Sequence, residues 1–348
     1  MQTKSKSINI LGIETSCDET AAAVVADGRV VKSSIVASQA GLHEKYGGVV
    51  PEIASRAHIE KIYPAIAEAI EQAKIGKDDI DAIAVANQPG LTIALIVGVT
   101  AAKTLSFVLG KPLITIDHLH AHMQSALLTE ENPTLPAVAL IVSGGHTSLY
   151  DYHSPLEPKL LGFTIDDAAG EAFDKVASIL KLPYPGGPAI EEAAQTGNPK
   201  AINFPRSMLG ADSLDFSFSG IKTAVLYYCH GQDMKGQSKV DEMNRQQIAD
   251  IAASFQAAVV DVLVEKTQRA AEKIGAKTII LGGGVAANTW LRAGLQQMCE
   301  SAVPPKKLLV APKQYCTDNA VMVASLAYYK FKAGFFADLT VEPKAHSD

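Results

Sequence analysis

Positive charge is not in excess in this 348-residue chain: 31 lysines and arginines stand against 37 aspartates and glutamates, a formal net charge of −6. Nothing in that balance advertises a nucleic-acid binder, so a polyanionic partner must meet a local patch or a second protein. Cysteine is scarce as well. Cys17, Cys229, Cys299 and Cys316 are widely separated and form no C-x-x-C pair, which argues against a cysteine zinc cage or a disulfide framework and suits reduced thiols. No uninterrupted apolar run reaches the about 18 residues of a membrane span. The opening MQTKSKSINILGIE also lacks an apolar stretch of signal-peptide length. These absences lead us to expect a soluble, cytoplasmic protein with no membrane partner.

What the chain does have is small-residue turns next to apolar strands. LGIETSCDETAAAVV from Leu11 and ALIVSGGHTSLYDY from Ala139 read as one device written twice: a strand, a tight polar turn and a returning strand. A third turn, Gly282-Gly283-Gly284-Val285-Ala286-Ala287-Asn288, follows the strand Lys277 to Leu281 and precedes a helix, the place where an open α/β sheet puts a nucleoside or phosphate. Backbone N–H groups in such turns cradle phosphate oxygens. A nucleotide-type ligand held between two related lobes is the first expectation.

The order of elements supports two lobes. Three strands over residues 8 to 37, with a turn at Asp27-Gly28, are followed by a helix from Glu52 to Lys74 that Pro64 should kink or split. Strand Asp81 to Ala86, helix Thr92 to Leu109 and strand Pro112 to Ile116 come next. From Pro136 the order restarts, with strands near 137–143, 146–152 and 159–164 and a helix from about Glu171. A Gly- and Pro-rich stretch from Pro183 to Phe218 reads as functional loops. A long helix from Asp241 to Ile274, strands Lys277 to Leu281 and Lys307 to Val310, and a helix from Asp318 complete the pattern. The fold class expected is α/β, a two-lobed actin-like ATPase (ASKHA, ribonuclease H-like) fold with duplicated βββαβα lobes. The domains are expected at 1–125, at 126–325 with a loop-rich insertion over 183–240, and at 326–348, a helix and tail packing back on the first lobe.

In Asp117-His118-Leu119-His120-Ala121-His122 two histidines stand four apart, so on a helix His118 and His122 share a face, at metal-ligand spacing. Asp318, in Cys316-Thr317-Asp318-Asn319, follows a strand and opens a helix, where it reads either as a third ligand or as an N-cap, a role Thr317 could equally fill. A zinc peptidase would carry H-E-x-x-H, but Leu119 occupies the position of the glutamate base. Ser143 beside His146 is no nucleophile–base pair, because the turn lacks a G-x-S-x-G elbow. Its glycines serve better as a backbone cradle.

Eight strings in order, GIETSCDET from Gly12, YGGVVPEIASRAH from Tyr46, VSGGHTSL from Val142, GEAFDK from Gly170, YPGGP from Tyr184, FSFSGIKTA from Phe216, GGGVAAN from Gly282 and CTDNA from Cys316, resemble the tRNA N6-adenosine threonylcarbamoyltransferases of the bacterial and organellar branch. The resemblance runs from about residue 10 to 330.

It implies transfer of threonylcarbamoyl from threonylcarbamoyl-AMP to N6 of the adenosine just 3′ of the anticodon, position 37, in tRNAs reading codons that begin with A. By position it implies one divalent ion, iron or zinc, on His118, His122 and Asp318. It assigns the adenylate donor, with ATP or ADP as an alternative occupant, to Ile141, Val142, Ser143, Gly144, Gly145, Asp174, Gly187, Glu191 and Asn288. Asp18 matches an acidic residue important for transfer; we read it as the base that takes the N6 proton, with Glu19 as runner-up. The implied partners are tRNA, a degenerate paralogue subunit (TsaB-type) that pairs through N-lobe helices, and a small ATPase (TsaE-type). The chain departs from the family pattern twice. Many members have H-x-E-G-H where His120-Ala121-His122 ends this motif, which makes His120 a possible rival ligand, and Glu191 stands where Asp is common. Outside the family, a metallopeptidase and a sugar-kinase-like ATPase are the alternatives.

Overall fold

The computed structural model describes residues 7–130, 133–210, 212–231 and 238–347. The chain divides into two compact units, residues 1–128 with 312–348, and residues 129–311. The segment 312–325, assigned above to the second lobe, lies within the first unit.

In the first unit, β1 (Asn9–Glu14), β2 (Glu19–Ala26) and β3 (Val30–Ser38) form an antiparallel meander. Asp27 and Gly28 both take positive φ, 50° and 72°, in the turn between β2 and β3. Helices α1 (Ala40–His43) and α2 (Pro51–Gln72) lead to β4 (Ala82–Gln88), α3 (Thr92–Leu109), β5 (Leu113–Asp117) and α4 (His118–Leu127). The sheet order is β3-β2-β1-β4-β5, with β1, β4 and β5 parallel. Central strands buried on both faces are near-continuous apolar runs, and all six residues of β1 are buried.

Pro64 does not break α2, which runs unbroken over 22 residues. The proline sits on the exposed side of the helix, where water can satisfy the carbonyl it frees, and helices tolerate that loss as a gentle bend.

The second unit repeats the plan. β6 (Ala137–Val142), β7 (Thr147–Tyr152) and β8 (Lys159–Phe163) are again antiparallel. Helices α5 (Ala169–Ile179), α6 (Gly186–Ala194), α7 (Ser219–His230) and α8 (Arg245–Ile274) precede β9 (Thr278–Gly282), α9 (Thr289–Ser301) and β10 (Lys307–Val310). The order β10-β9-β6-β7-β8, with β6, β9 and β10 parallel, is the order of the first sheet. The stretch read as loops contains α6, and α7 follows directly; positions 211 and 232–237 of the expected insertion lie outside the described residues. α8 begins four residues later than its periodicity suggests, because Asn244 and Gln247 form a capping box that fixes the start.

The chain then returns to the first unit as α10 (Ala320–Ala333). Its first two turns, Ala320 to Ala327, join Ile10, Ala23, Val25, Ala84 and Ile116 in one core. Gly12 permits this approach: a Cβ there would lie 2.5 Å from the Ala320 carbonyl oxygen. The segment after α10 crosses the same unit, with Val341 packed on the opposite core and Lys344 donating its N–H to the Asn87 carbonyl. Helices α3 and α8 are long and apolar enough, by length and composition, to cross a membrane. Two thirds of the most apolar 18-residue stretch of α8 is buried, whereas only a third of α3 is, so α3 keeps an apolar outer face.

Candidate metal centre and donor turns

Parallel strands bring their carboxyl ends to one edge of a sheet, where open α/β folds collect ligands. At that edge of the first unit β1 delivers Glu14, β5 delivers Asp117 and His118, and α10 is preceded by Asp318. Asp117 accepts the N–H groups of Leu119 and His120 at 2.9 and 3.1 Å, fixing the start of α4. The helical repeat then brings the rings of His118 and His122 together edge to face, with centroids 4.6 Å apart and planes 83° apart.

Asp318 completes the group. Its Oδ1 lies 3.1 Å from His122 Nε2 and 3.4 Å from His118 Nε2. The N-cap of α10 is Asn319, whose side chain accepts from the Met322 N–H. Neither Asp318 nor Thr317 serves as the cap, which leaves the Asp318 carboxylate to the histidines. One donor atom from each of His118, His122 and Asp318 lies within 4.8 Å of the others. His118 and His122 are 4% and 0% exposed.

Behind His118 stands Glu14, fully buried, which accepts from His118 Nδ1 at 3.0 Å and from the Ser16 N–H at 2.6 Å. A carboxylate behind a histidine fixes its tautomer and leaves Nε2 to face a cation. Burial opposes a charged His118, but Asp318 and Glu14 more than offset it and hold its pKa well above the ordinary value. Burial keeps His122 low. Asp318 would be raised by burial, yet His118 and His122 bring it far below the carboxylate range. Two imidazoles and one carboxylate, backed by a second buried carboxylate, fit a divalent transition ion that keeps open coordination positions.

His120 is outside this group, two positions along the helix and off its shared face. Leu119 is 5% exposed and belongs to the core. Glu14 was missed in the sequence, although an acid closing the apolar run Ile10–Ile13 was the available signal.

Asp18 and Glu19 lie in and just after the β1–β2 turn and are half-buried. Burial, then the charges of Asp318 and Asp18, push the Glu19 carboxyl strongly upward.

In the second unit four motifs meet at backbone distance. A Cβ on Gly170 would lie 2.5 Å from the Ser143 carbonyl oxygen, and one on Gly283 would lie 2.3 Å from that of Val142. Packing therefore demands those glycines. Gly144, Gly145 and Gly187 face open space. Ile141 and Val142 are wholly buried, so their part in the site is to support the turn that follows them. Asp174 accepts the Gly186 N–H at 2.7 Å, at the start of α6. Glu191 accepts both the N–H and the hydroxyl of Thr289, at 2.8 and 2.5 Å. Asn288 caps α9 through its oxygen and donates its amide to the fully buried Gln256 at 2.7 Å. The site residues of this unit thus tie its motifs together.

The motif FSFSGIKTA is held by an acid pair not singled out in the sequence. Asp166 accepts from the Ser217 and Ser219 hydroxyls and from the Phe218 and Ser219 N–H groups. Asp167 pairs with Lys175 at 2.9 Å and Lys222 at 2.6 Å.

Comparison with known proteins decides the family. The family model described as "TsaD: tRNA N6-adenosine threonylcarbamoyltransferase" matches residues 30–325. The chain belongs to this family. A tRNA N6-adenosine threonylcarbamoyltransferase of Moorella thermoacetica is 52% identical over 333 residues, 96% of this chain and 95% of the relative. The enzyme of the same name from Thermomicrobium roseum is 50% identical over 97% of this chain and 96% of its own. The family is one of transferases that modify tRNA, as its name states. Solved structures agree on the fold. Full-length HypF in its phosphate- and nucleotide-bound form aligns at TM-score 0.61 and 14% identity, over 96% of this chain and 48% of HypF. Component A of the Acidaminococcus fermentans (R)-2-hydroxyglutaryl-CoA dehydratase aligns at 0.51 and 18% identity, over 93% and 99%. The fold is the two-lobed actin-like ATPase fold.

Proposed function

We propose that this chain transfers the threonylcarbamoyl group of threonylcarbamoyl-AMP to N6 of adenosine 37 in tRNAs that read codons beginning with A, releasing AMP in the cytoplasm. The observation that carries the reading is the buried convergence of His118, His122 and Asp318, with Glu14 behind His118. These three residues would hold one divalent ion, iron or zinc. Such an ion supplies Lewis-acid polarisation of the donor's carbonyl and a template for its oxygens.

The chain's own groups do the rest. An adenine N6 amine is a weak nucleophile, because its lone pair is delocalised into the ring. Asp18 takes the proton that N6 loses as the new C–N bond forms. Glu19, the next acid along the chain, is the reserve base. The open backbone of Gly144 and Gly145 gives N–H groups to the phosphate, and Asp174, Gly187, Glu191 and Asn288 line the nucleoside. ATP or ADP would use the same groups.

A net charge of −6 leaves tRNA recruitment to partners, since phosphate binding draws on local positive charge. The outer face of α2 and α3 suits a paralogue subunit of the TsaB type. Ile59 and Tyr63 on α2 are 63% and 78% exposed, and Ile93 and Ile96 on α3 are 39% and 45% exposed. Ser55 on α2 bonds the Ile93 carbonyl, which locks the two helices side by side. A small ATPase of the TsaE type completes the assembly. A peptidase reading gains nothing from the site, where buried Leu119 replaces the base.

The test is transfer of labelled threonine from preformed threonylcarbamoyl-AMP to unmodified tRNA, with purified partners. Transfer by the intact protein that collapses in His118→Ala and Asp318→Ala supports the reading; no transfer by an intact, metal-loaded protein overturns it.

A further inference from the structure

The string YGGVVPEIASRAH holds a histidine that the chemistry above does not use. His58, on α2, is completely buried, as are His43 and, at 2% exposure, Gln39. Their hydrogen bonds form one chain with a single consistent assignment. His58 Nε2 lies 3.0 Å from the Cys17 carbonyl oxygen. A carbonyl only accepts, so Nε2 carries the proton and Nδ1 must accept. Two donors meet that Nδ1, the Thr20 hydroxyl at 2.8 Å and the Gln39 amide at 3.3 Å. The Gln39 oxygen then faces His43 Nε2 at 3.4 Å, and His43 Nδ1 accepts the Val50 N–H at 3.3 Å. Both histidines are neutral in this pattern. Burial keeps His58 below its ordinary value, which agrees.

The chain of bonds ends on the β1–β2 turn. His58 takes the Cys17 carbonyl, and the Gln39 N–H takes the Asp18 carbonyl at 3.0 Å. The two peptide oxygens flanking Asp18 are therefore fixed from α2 and from the segment after β3. Among the described residues, neither His58 nor Gln39 hydrogen-bonds to His118, His122 or Asp318.

We infer that His58, with Gln39 and His43 behind it, is a positioning residue that holds the Cys17–Asp18 turn in the geometry the transfer needs. The inference rests on the role given to Asp18 above. Its physical basis is that a misplacement of about 1 Å at a reacting group can cost about 100-fold in rate, and a turn with free carbonyls has that latitude. Satisfied buried networks of this kind specify one conformation.

The experiment compares the intact protein with His58→Leu, which removes the donor to Cys17, and His58→Gln, which offers an N–H at nearly the Nε2 position. Gln39→Met interrupts the relay from its other side. Transfer kinetics, bound metal and hydrogen exchange of a peptide covering residues 15–20 are measured for each. For His58→Leu we expect kcat to fall about 10- to 100-fold, with KM for donor and tRNA within about twofold. Bound metal should be unchanged and exchange of the turn faster. His58→Gln should recover most of the rate and the protection. An unchanged kcat in His58→Leu, unchanged exchange, or a glutamine variant no better than leucine would overturn the inference. Should His58→Leu fail to fold, the glutamine and Gln39→Met variants carry the comparison. If the intact protein transfers nothing, the proposed function fails by itself, and the exchange measurement still decides whether His58 holds the turn.

Discussion

Gly12 on β1 and Ala320 at the start of α10 meet so closely that a Cβ on the glycine would stand 2.5 Å from the Ala320 carbonyl oxygen. The contact sets how near α10 comes to the sheet, and with it where Asp318, two residues upstream of Ala320, meets His118. Gly12→Val should cost about 1–3 kcal/mol by overpacking and should lower metal affinity out of proportion to stability. Metal titration against a thermal melt checks both; a variant that melts earlier yet binds metal normally would separate the contact from the site.

Glu14 receives the His118 Nδ1 proton at 3.0 Å. Glu14→Gln keeps the shape but removes the charge that fixes the ring, and metal affinity should fall about 10- to 100-fold, measured by competition with a chelator.

His120 shares the motif but not the cluster. His120→Ala should retain the metal content of the parent protein, whereas His118→Ala and Asp318→Ala should lose it. Elemental analysis of the three purified variants settles the ligand set.

Asp166 sets an acid limb of stability. Burial would raise its pKa, but the Ser217 and Ser219 hydroxyls and the N–H groups of Phe218 and Ser219 more than offset that and depress it. A depressed carboxylate binds fewer protons folded than unfolded, so its contribution is complete above the unfolded value of about 3.9 and is lost as pH falls through the lower folded value. Urea unfolding at descending pH should show a steeper loss below about pH 4 in the parent than in Asp166→Asn. Equal slopes would remove Asp166 from the acid response.

The outer face of α2 and α3 should behave as an interface. Tyr63→Glu and Ile96→Asp place charges on exposed positions, so the fold should be kept while association with the paralogue subunit weakens at least about tenfold. Sedimentation of the purified mixture reads the effect.

The sequence by itself determined the strands, the two turns that echo each other and the pair His118 and His122. Local period and spacing encode these: a strand buried on both faces reads as an apolar run, and two histidines four apart share a helix face. It also carried the family, through strings that pack against one another, as Gly170 against Ser143 and Gly283 against Val142 show. Pro64 does not split α2, because the proline lies on the exposed side of the helix, where water can meet the carbonyl it frees.

Tertiary structure decided how distant residues meet. Asp318 lies 196 positions from His122, and only the packing of α10 on β1 brings them to 3.1 Å. Glu14, 104 positions from His118, is in reach because parallel strands end at one edge. The relay from His43 to Cys17 joins a turn, two helices and a loop whose polar side chains are separately unremarkable. Hydrogen bonds between distant residues leave no periodic trace in a sequence, so Glu14 and the relay were visible only once the chain had folded.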